Sequence, residues 1–406
     1  EIRPILSALM RSKVAMILIG LQVALTLAIV CNALFIIGQR LDRMHRPSGM
    51  NEADTFMVSS TGFGQNFDAF ATLKADLALL RGIPGVADVT PANSVPMSEG
   101  GWSTGLNLQP RQRTSSADTA LYLVDDHALD AFGFKLVAGR GFKPEEAAEV
   151  NFGDRLQPAS IIVTRALADK LFPGGDAVGK QVYMDEDPPT STIVGVIERA
   201  QQPWMSSSSV EMSTLVPAFM PYGKSTRYLV RTEPGRRDAV MKDVEQKLAE
   251  ANHGRIVGRL RTIETVRAEA YAGDRAMAVI LGGVIVALLL ITALGIVGMA
   301  SFWVAQRTKQ SGTRRALGAT RGDIIRQYLT ETLVIGIAGA LLGLVLSVGG
   351  LRIVDAYSFD AAGIARHDPW MVTLTVLIAL ASAVLAGLLP TWRAARQVPA
   401  LQLKSQ

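Results

Sequence analysis

Gly174-Gly175-Asp176-Ala177-Val178-Gly179-Lys180-Gln181 approaches the phosphate-cradling pattern G-x-x-x-x-G-K-[ST]. In that pattern glycine backbone N–H groups hold phosphate oxygens, the lysine reaches the outer phosphates, and the last hydroxyl binds Mg²⁺. Here Gln181 stands where the hydroxyl is needed, and Arg165–Phe172 ahead of it reads as a helix rather than a buried strand. The stretch is therefore expected to be a turn, with Gly174-Gly175 closing a helix and Gly179 opening a strand. No second nucleotide loop occurs, so the sequence carries no motor of its own. His45, His127, His253 and His367 lie far apart, without H-x-x-H or H-E-x-x-H spacing. Cys31 is the single cysteine, which excludes an intramolecular disulfide and a Cys-rich zinc site. No nucleophile–base pair stands out either. The expectation is a non-catalytic chain with no catalytic, metal or cofactor residues.

The other chemically marked stretch is Arg307–Arg326, short, basic and punctuated by glycine. Ala316, Leu317 and Ala319 give it a small apolar patch, and Asp323 precedes Ile324 and Ile325. It reads either as a basic loop without a partner or as a short helix that docks on a cytosolic protein. Composition leaves both open.

The elements that hold these residues are dominated by apolar runs. Of 406 residues, 49% are hydrophobic and 19% charged, and the mean hydropathy of +0.25 is high for a soluble chain. Val14–Gly38, Ala276–Val304, Thr332–Leu351 and Pro369–Thr391 carry no charge over 25, 29, 20 and 23 residues. A bilayer core needs roughly 20 apolar helical residues, so each can span it. Residues 1–13, 305–331 and 391–406 together hold 12 Lys/Arg against 3 Asp/Glu. Segment 39–275 holds 27 against 30, and the loop 352–368 holds 2 against 3. The basic edges belong in the cytoplasm. The expected order is a cytoplasmic tail (1–13), a first span (14–38), a large external domain (39–275), and a second span (276–304). A cytoplasmic loop (305–331), a third span (332–351), a short external loop (352–368), a fourth span (369–391) and a cytoplasmic tail (392–406) follow. Because the excess charge sits at membrane edges, a nucleic-acid surface is excluded. The spans hold no acid or base for an ion relay, which argues against an ion-coupled transporter or channel.

Segment 39–275 alternates strands with amphipathic helices, an α+β pattern. Thr55–Ser59, Val86–Thr90, Ala120–Val124, Ile161–Val163, Gln181–Met184, Ser191–Ile197, Thr226–Arg231 and Ile256–Leu260 read as strands. Phe67–Leu80 reads as a helix with Phe67, Phe70, Leu73, Leu77 and Leu80 at helical spacing, and Arg236–Glu250 as one with Val240, Val244 and Leu248 on one face. Two subdomains are expected: a membrane-proximal lobe (about 50–108 and 222–262) and an inserted lobe (about 109–221). Gln201–Ser209 reads as a mobile loop in which Trp204 packs locally. From Ile263 to Val304 no proline interrupts the helical period. That is on the order of 60 Å of continuous helix, with residues 263–275 standing as a stalk that can act as a lever.

Arg314-Arg315-Ala316-Leu317-Gly318-Ala319-Thr320-Arg321-Gly322-Asp323-Ile324 resembles the R-R-A-x-G-A loop of the FtsX-like permease family. Gly133–Phe142 is similar to its G-x-x-L-x-x-G-R-x-F segment, Ala168–Lys180 to its L-F-P-G-x-x-x-x-G-K run, and Ile193–Ile197 to the strand that follows. Pro390–Leu401 resembles its closing P-x-x-x-A-x-x-x-P-x-x-A-L. These motifs lie in register with the four apolar runs over nearly the whole chain, and the layout resembles the MacB-type branch with its periplasmic core domain. The resemblance implies the permease subunit of an ABC transporter in a bacterial inner membrane, with both termini cytoplasmic and the large domain periplasmic. It implies a dimer through the first two helices, as a homodimer or with a second permease, in contact with membrane lipid. Two copies of a separate cytoplasmic ATPase would hydrolyse ATP with Mg²⁺, since only a 13-residue tail precedes the first span, and a periplasmic adaptor could join them. The ATPase-coupling positions implied are Gln310, Gly312, Arg314, Arg315, Ala316, Leu317, Gly318, Ala319, Thr320 and Arg321. ATP-driven closure would move the periplasmic lobes, a mechanotransmission that extrudes a peptide, antibiotic, toxin or lipoprotein. The alternatives are a regulator of a periplasmic enzyme and a lipoprotein-release subunit. Where the family commonly reads Glu-Ile-Gly-Ile, this chain reads Gln310-Ser311-Gly312-Thr313, which implies altered docking, as in a heterodimer of unequal permeases.

Overall fold

The structure is a computed structural model. It describes residues 13–184, 188–207, 209–306 and 320–357, with isolated positions 373 and 377. The chain divides into one unit of residues 1–44 and 273–406, whose described part is helical and which we call the helical unit, and an α+β unit (45–272).

In the helical unit, α1 (Lys13–Met44) is a single helix that outruns its apolar stretch. Two further long helices, which we number α7 (Ala272–Gln306) and α8 (Arg321–Tyr357), complete the described part. α1 and α7 each contain an uninterrupted apolar stretch long enough to cross a membrane, and α8 contains the shorter apolar stretch Leu333–Gly349. The fourth expected span lies outside the described residues except at Thr373 and Leu377. α8 packs on α1 through glycine. A Cβ on Gly339 would lie 2.8 Å from the Gly20 carbonyl oxygen, and one on Gly343 2.6 Å from that of Ala24. The missing side chains let the two backbones approach, as small residues spaced by four do between spanning helices. α1 meets α7 through polar contacts instead. Thr26 and Thr292 share a hydrogen bond of 2.7 Å, and Gln22 Nε2 donates to the Ile291 carbonyl at 3.3 Å. Arg40 and Asp274 form an ion pair at one end of these helices. Ser347 Oγ donates to Asn32 Oδ1 at 3.1 Å.

The α+β unit holds two sheets. The first is antiparallel and built from β1 (Thr55–Gly62), β2 (Val86–Pro91), β11 (Ser225–Thr232), β12 (Arg255–Val257) and β13 (Arg261–Thr262). Its order is β12-β1-β11-β2, with β13 also on β1. Two helices cover one face: α2 (Ala69–Arg81), whose N-terminus is capped by Asp68, and α5 (Arg237–Ala251). Phe56, Val58, Leu73, Leu77, Leu80, Tyr228, Val240, Val244 and Leu248 form the core between them. The helical periods read from the sequence thus bury Leu73, Leu77, Leu80, Val240, Val244 and Leu248, whereas Phe67 precedes α2, which begins at Ala69, and both Phe67 and Phe70 are only half-buried. Below that core, Arg255 pairs with Asp76, which also accepts from the Tyr228 hydroxyl at 2.7 Å. All three side chains are buried, so the charge is matched where water cannot reach it.

The second sheet closes on itself. It comprises β3 (Trp102–Asn107), β4 (Ala117–Val124), β7 (Ser160–Thr164), β8 (Gln181–Met184), β9 (Thr190–Ile197) and β10 (Ser213–Phe219). They run β4-β3-β8-β9-β7-β10, and β10 pairs back with β4 in parallel. Two short strands, β5 (Leu136–Gly139) and β6 (Ala148–Glu149), add to β9 and β10. The helix α4 (Arg165–Leu171) contributes Leu167, Ala168 and Leu171 to the core of this ring, with Leu121, Ile161, Ile193 and Val216. A short helix, α3 (Ala128–Phe132), follows β4.

Several expectations are corrected here. The inserted lobe begins at β3, before residue 109, because Trp102–Leu106 pair with β4. Ile256–Leu260 is not one strand: β12 ends at Val257 and β13 begins only at Arg261, with Gly258 between them where a Cβ would meet Ser59 Oγ at 2.1 Å. The Gln201–Ser209 segment is packed rather than loose: Gln201 and Gln202 are buried. Gln202 Nε2 donates to the Ser209 hydroxyl and to the Met212 carbonyl, at 3.2 and 2.8 Å. The stalk is not one helix. It is α6 (Ile263–Ala270), then a break at Tyr271 (φ −95°, ψ 12°), then α7. One expectation stands: the stretch resembling a phosphate loop is a turn from α4 to β8, with Gly175 and Gly179 at positive φ. Gly179 N donates to the Ile193 carbonyl at 2.8 Å.

Candidate functional site

The polypeptide enters the α+β unit near Arg46 and leaves it at Tyr271. Both ends meet the second sheet at one cluster. Proline and glycine in Pro47-Ser48-Gly49 keep the entering chain out of regular helix or strand. Gly49 has φ 89°, and a Cβ there would lie 2.2 Å from the Arg199 carbonyl oxygen. Only glycine allows that approach. It lets Gln201 N donate to the Ser48 carbonyl at 2.9 Å, joining the entering chain to the exit of β9. On the leaving side, Thr262 caps α6 by accepting from Thr265 N. Ile263 and Val266 are buried beneath that helix.

Arg267 on α6 reaches back to the entering chain. Its Nε and Nη2 donate to the two carboxylate oxygens of Glu52, at 2.7 and 2.6 Å, and Nη2 also donates to the Arg46 carbonyl at 3.0 Å. Ser48 Oγ donates to the same carboxylate. Burial pushes the Glu52 carboxyl up, but the hydrogen bonds from Arg267 and Ser48 outweigh it, and its pKa lies below the ordinary value. The bond to Glu52 raises Arg267 in turn. The pair is therefore ionised at any physiological pH. A two-toothed arginine–carboxylate contact fixes orientation as well as distance.

Tyr271 completes the cluster. Its ring is buried and lies under the Arg267 guanidinium, 5.7 Å away. Its hydroxyl accepts from Gln201 Nε2 at 3.0 Å. The Gln201 carbonyl accepts from the Tyr122 hydroxyl on β4. Tyr122 is wholly buried, and that burial raises its pKa well above the ordinary phenol value, so it stays a neutral donor. Gln201 Oε1 is buried and has no hydrogen-bond partner among the described residues. A continuous path thus runs from α6 through Tyr271, Gln201 and Tyr122 into the closed sheet. Chemically this cluster does no bond-making: it is a rigid joint. Its residues lie up to 221 positions apart (Arg46 and Arg267), so no local motif marks them. The sequence signal available is Tyr271, the first aromatic in the proline-free stretch Ile263–Val304.

The two sheets are themselves tied. Thr90 Oγ1 on β2 donates to Asp125 Oδ1 at 2.7 Å, and Arg81 on α2 pairs with the same carboxylate. His127 Nδ1 contacts Asp88 Oδ1 at 2.8 Å. Asn93 receives Leu123 N and donates to the Leu121 carbonyl, at 2.9 and 3.1 Å. Burial raises the Asp125 pKa, and the Arg81 charge opposes that shift.

Of the implied ATPase-coupling positions, Gln310, Gly312, Arg314, Arg315, Ala316, Leu317, Gly318 and Ala319 lie outside the described residues. Thr320 and Arg321 are described. Asp323 N donates to Thr320 Oγ1 at 3.2 Å, and Thr320 N donates to Asp323 Oδ2 at 2.9 Å. This reciprocal cap begins α8 at Arg321. The hydrogen bonds from Thr320 hold the Asp323 carboxyl below its ordinary pKa.

Comparison with known proteins places this geometry in context. A family model described as the MacB-like periplasmic core domain matches residues 17–247. A second, the FtsX-like permease C-terminal region, matches residues 282–399. The chain is 25% identical to the uncharacterized ABC transporter permease YknZ of Bacillus subtilis, over 98% of its own length and 97% of the relative. It is 23% identical to the macrolide export ATP-binding/permease protein MacB of Chromobacterium violaceum, over 80% of its own length and 48% of that protein. The chain thus spans about half the length of the MacB relative. Among solved structures, the periplasmic region of MacB from Actinobacillus actinomycetemcomitans aligns with 56% of the chain at 15% identity and a TM-score of 0.34.

Proposed function

This chain belongs to the family whose members join a MacB-like periplasmic core domain to an FtsX-like permease region, and from that premise we propose that it is a mechanically coupled permease. In this reading the helical unit sits in the inner membrane of a bacterium with both termini in the cytoplasm. Its four spans comprise α1, α7, the apolar part of α8 and residues 369–391. The α+β unit lies in the periplasm. Exposed Leu18, Leu21, Leu25 and Ile29 on α1, and Val279, Ile280, Leu290 and Leu294 on α7, face lipid or a second permease. A cytoplasmic ATPase in two copies docks on Gln310–Arg321, and its closure displaces the helices that lead into the α+β unit. The cargo is a peptide, antibiotic, toxin or lipoprotein already at the outer face, which a periplasmic adaptor passes on.

The observation that carries this reading is the joint at Glu52, Gln201, Arg267 and Tyr271. A binding domain needs only a tether at the end of a membrane helix. Here both crossing chains are hydrogen-bonded to each other and to the closed sheet, immediately before the apolar helix α7 begins. A displacement of α6 must therefore move the second sheet or break buried hydrogen bonds. Each bond to a charged group contributes about 1.5–3 kcal/mol, so the joint resists opening.

The test is purification of the full chain from its native membrane with identification of what accompanies it. A nucleotide-binding ABC subunit in near-equal amount, with vanadate-sensitive ATP turnover, is the expected result. Its absence, in repeated preparations that retain a second permease copy, would overturn the transporter reading in favour of a regulatory membrane protein.

A further inference from the structure

We propose that the α+β unit carries a seat for one aromatic residue bearing a free carboxylate, such as the aromatic C-terminus of a peptide, in a cleft between its two sheets. The cleft has a volume of about 240 Å³. Drug-sized ligands occupy pockets of roughly 300–1,000 Å³, so this one takes a single large side chain and its backbone rather than a macrocycle.

Its walls come from both sheets. Leu73 on α2 and Ala92 after β2 face Leu123 on β4 and Ala218 on β10. Two aromatic rings from separate segments, Trp102 and Tyr222, line it, and a third, Phe152, packs against both. Trp102, which begins β3, lies 5.6 Å from Phe152, in the segment after β6. Phe152 lies 4.6 Å from Tyr222, in the turn after β10, edge to face. Phe152 and Tyr222 are 53% and 66% exposed. Large rings are rarely left in water together without a binding role, and this arrangement presents ring faces and edges to an incoming ring.

The polar side of the cleft is cationic. Arg227 lines it, exposed, with Nη1 anchored to the Asn93 carbonyl at 2.9 Å. That bond leaves four of the five guanidinium N–H donors for a carboxylate. Among the described residues no Asp or Glu lines the cleft. Behind its wall, Ser94 Oγ is buried without a hydrogen-bond partner among the described residues, 3.0 Å from where a Gly101 side chain would begin. Aromatic rim, single cation and small volume together select an aromatic group with an adjacent anion. Because the walls belong to different sheets, an occupant holds them at a fixed separation. This seat does not depend on the permease reading.

The test uses the full chain in lipid nanodiscs and saturation-transfer NMR with N-acetyl-L-phenylalanine, alongside its C-terminal amide. Ring-proton transfer from the acid is expected, falling at least fivefold for the amide and for Arg227→Gln. It is expected to disappear in the doubly substituted Phe152→Ser, Tyr222→Ser chain, whose changed side chains are too exposed to unfold it. Equal transfer from acid and amide would overturn the carboxylate assignment. Equal transfer in the double variant, or none in the parent, would overturn the seat. Co-purification of an ATPase is expected to be the same in every variant, which separates failure of the seat from failure of the permease reading.

Discussion

Tyr271 shows how much one hydroxyl can carry. Removing it leaves the Gln201 amide buried with a donor that has lost its acceptor, beside an Oε1 that already has none. A buried group left unsatisfied costs about 1–3 kcal/mol. Tyr271→Phe should therefore lower the stability of the full chain by about that amount, seen in denaturant unfolding, although the ring still fills its site. A variant as stable as the parent would show that the hydroxyl bond is dispensable. Acid acts on another residue-scale contact. Arg140 donates to both oxygens of Glu146, at 2.7 and 2.8 Å, and that bond lowers the carboxyl from its usual 4.5 to about 2. A carboxylate held down in the folded state stabilises it fully above its unfolded pKa, and the contribution fades as pH falls towards the folded value. Arg140→Gln should consequently lose less thermal stability than the parent between about pH 5 and pH 3. Identical slopes in both proteins would remove the pair from the acid response.

Among elements, the seam between α1 and α8 depends on the absence of side chains. A methyl on Gly343 would press on the Ala24 carbonyl at 2.6 Å, and on Leu27 side-chain atoms at 2.9 and 3.0 Å. Backbone cannot step aside as a flexible side chain can. Gly343→Ala should cost about 1–3 kcal/mol and lower the thermal midpoint in detergent, whereas Gly349→Ala, with nothing within 4 Å, should be neutral. Equal effects at the two positions would contradict this packing. The elements themselves differed in how legible they were. β7 and β9 are apolar runs bounded by turn residues, and both stand in the sequence almost as they stand in the fold. β3 reads Trp-Ser-Thr-Gly-Leu-Asn and β10 contains Pro217, so neither looks like a strand locally. Proline fits in β10 because its missing N–H falls where the parallel pairing with β4 ends, at Val124.

At the scale of the molecule, the proposed coupling runs through residues 310–321. Arg314→Glu with Arg315→Glu should abolish permease-dependent stimulation of the partner ATPase while leaving the α+β unit folded, as read by its unchanged unfolding midpoint. Unchanged stimulation would move the docking surface elsewhere. The sequence by itself determined the apolar runs, the charge asymmetry across them, the α+β character of the large insert and the family. These follow from composition, periodicity and motif spacing, which are local properties of the chain. Tertiary structure alone decided that the inserted lobe is a ring closed by β4 and β10, that the stalk breaks at Tyr271, and that the Gln201 segment is packed. It alone brought Glu52 to Arg267 and Tyr271 to Gln201. Such pairings join residues tens to hundreds of positions apart, and their partners are chosen by burial and by the need to satisfy every buried polar group. No stretch of sequence records that choice, because it is made only when the whole chain has closed.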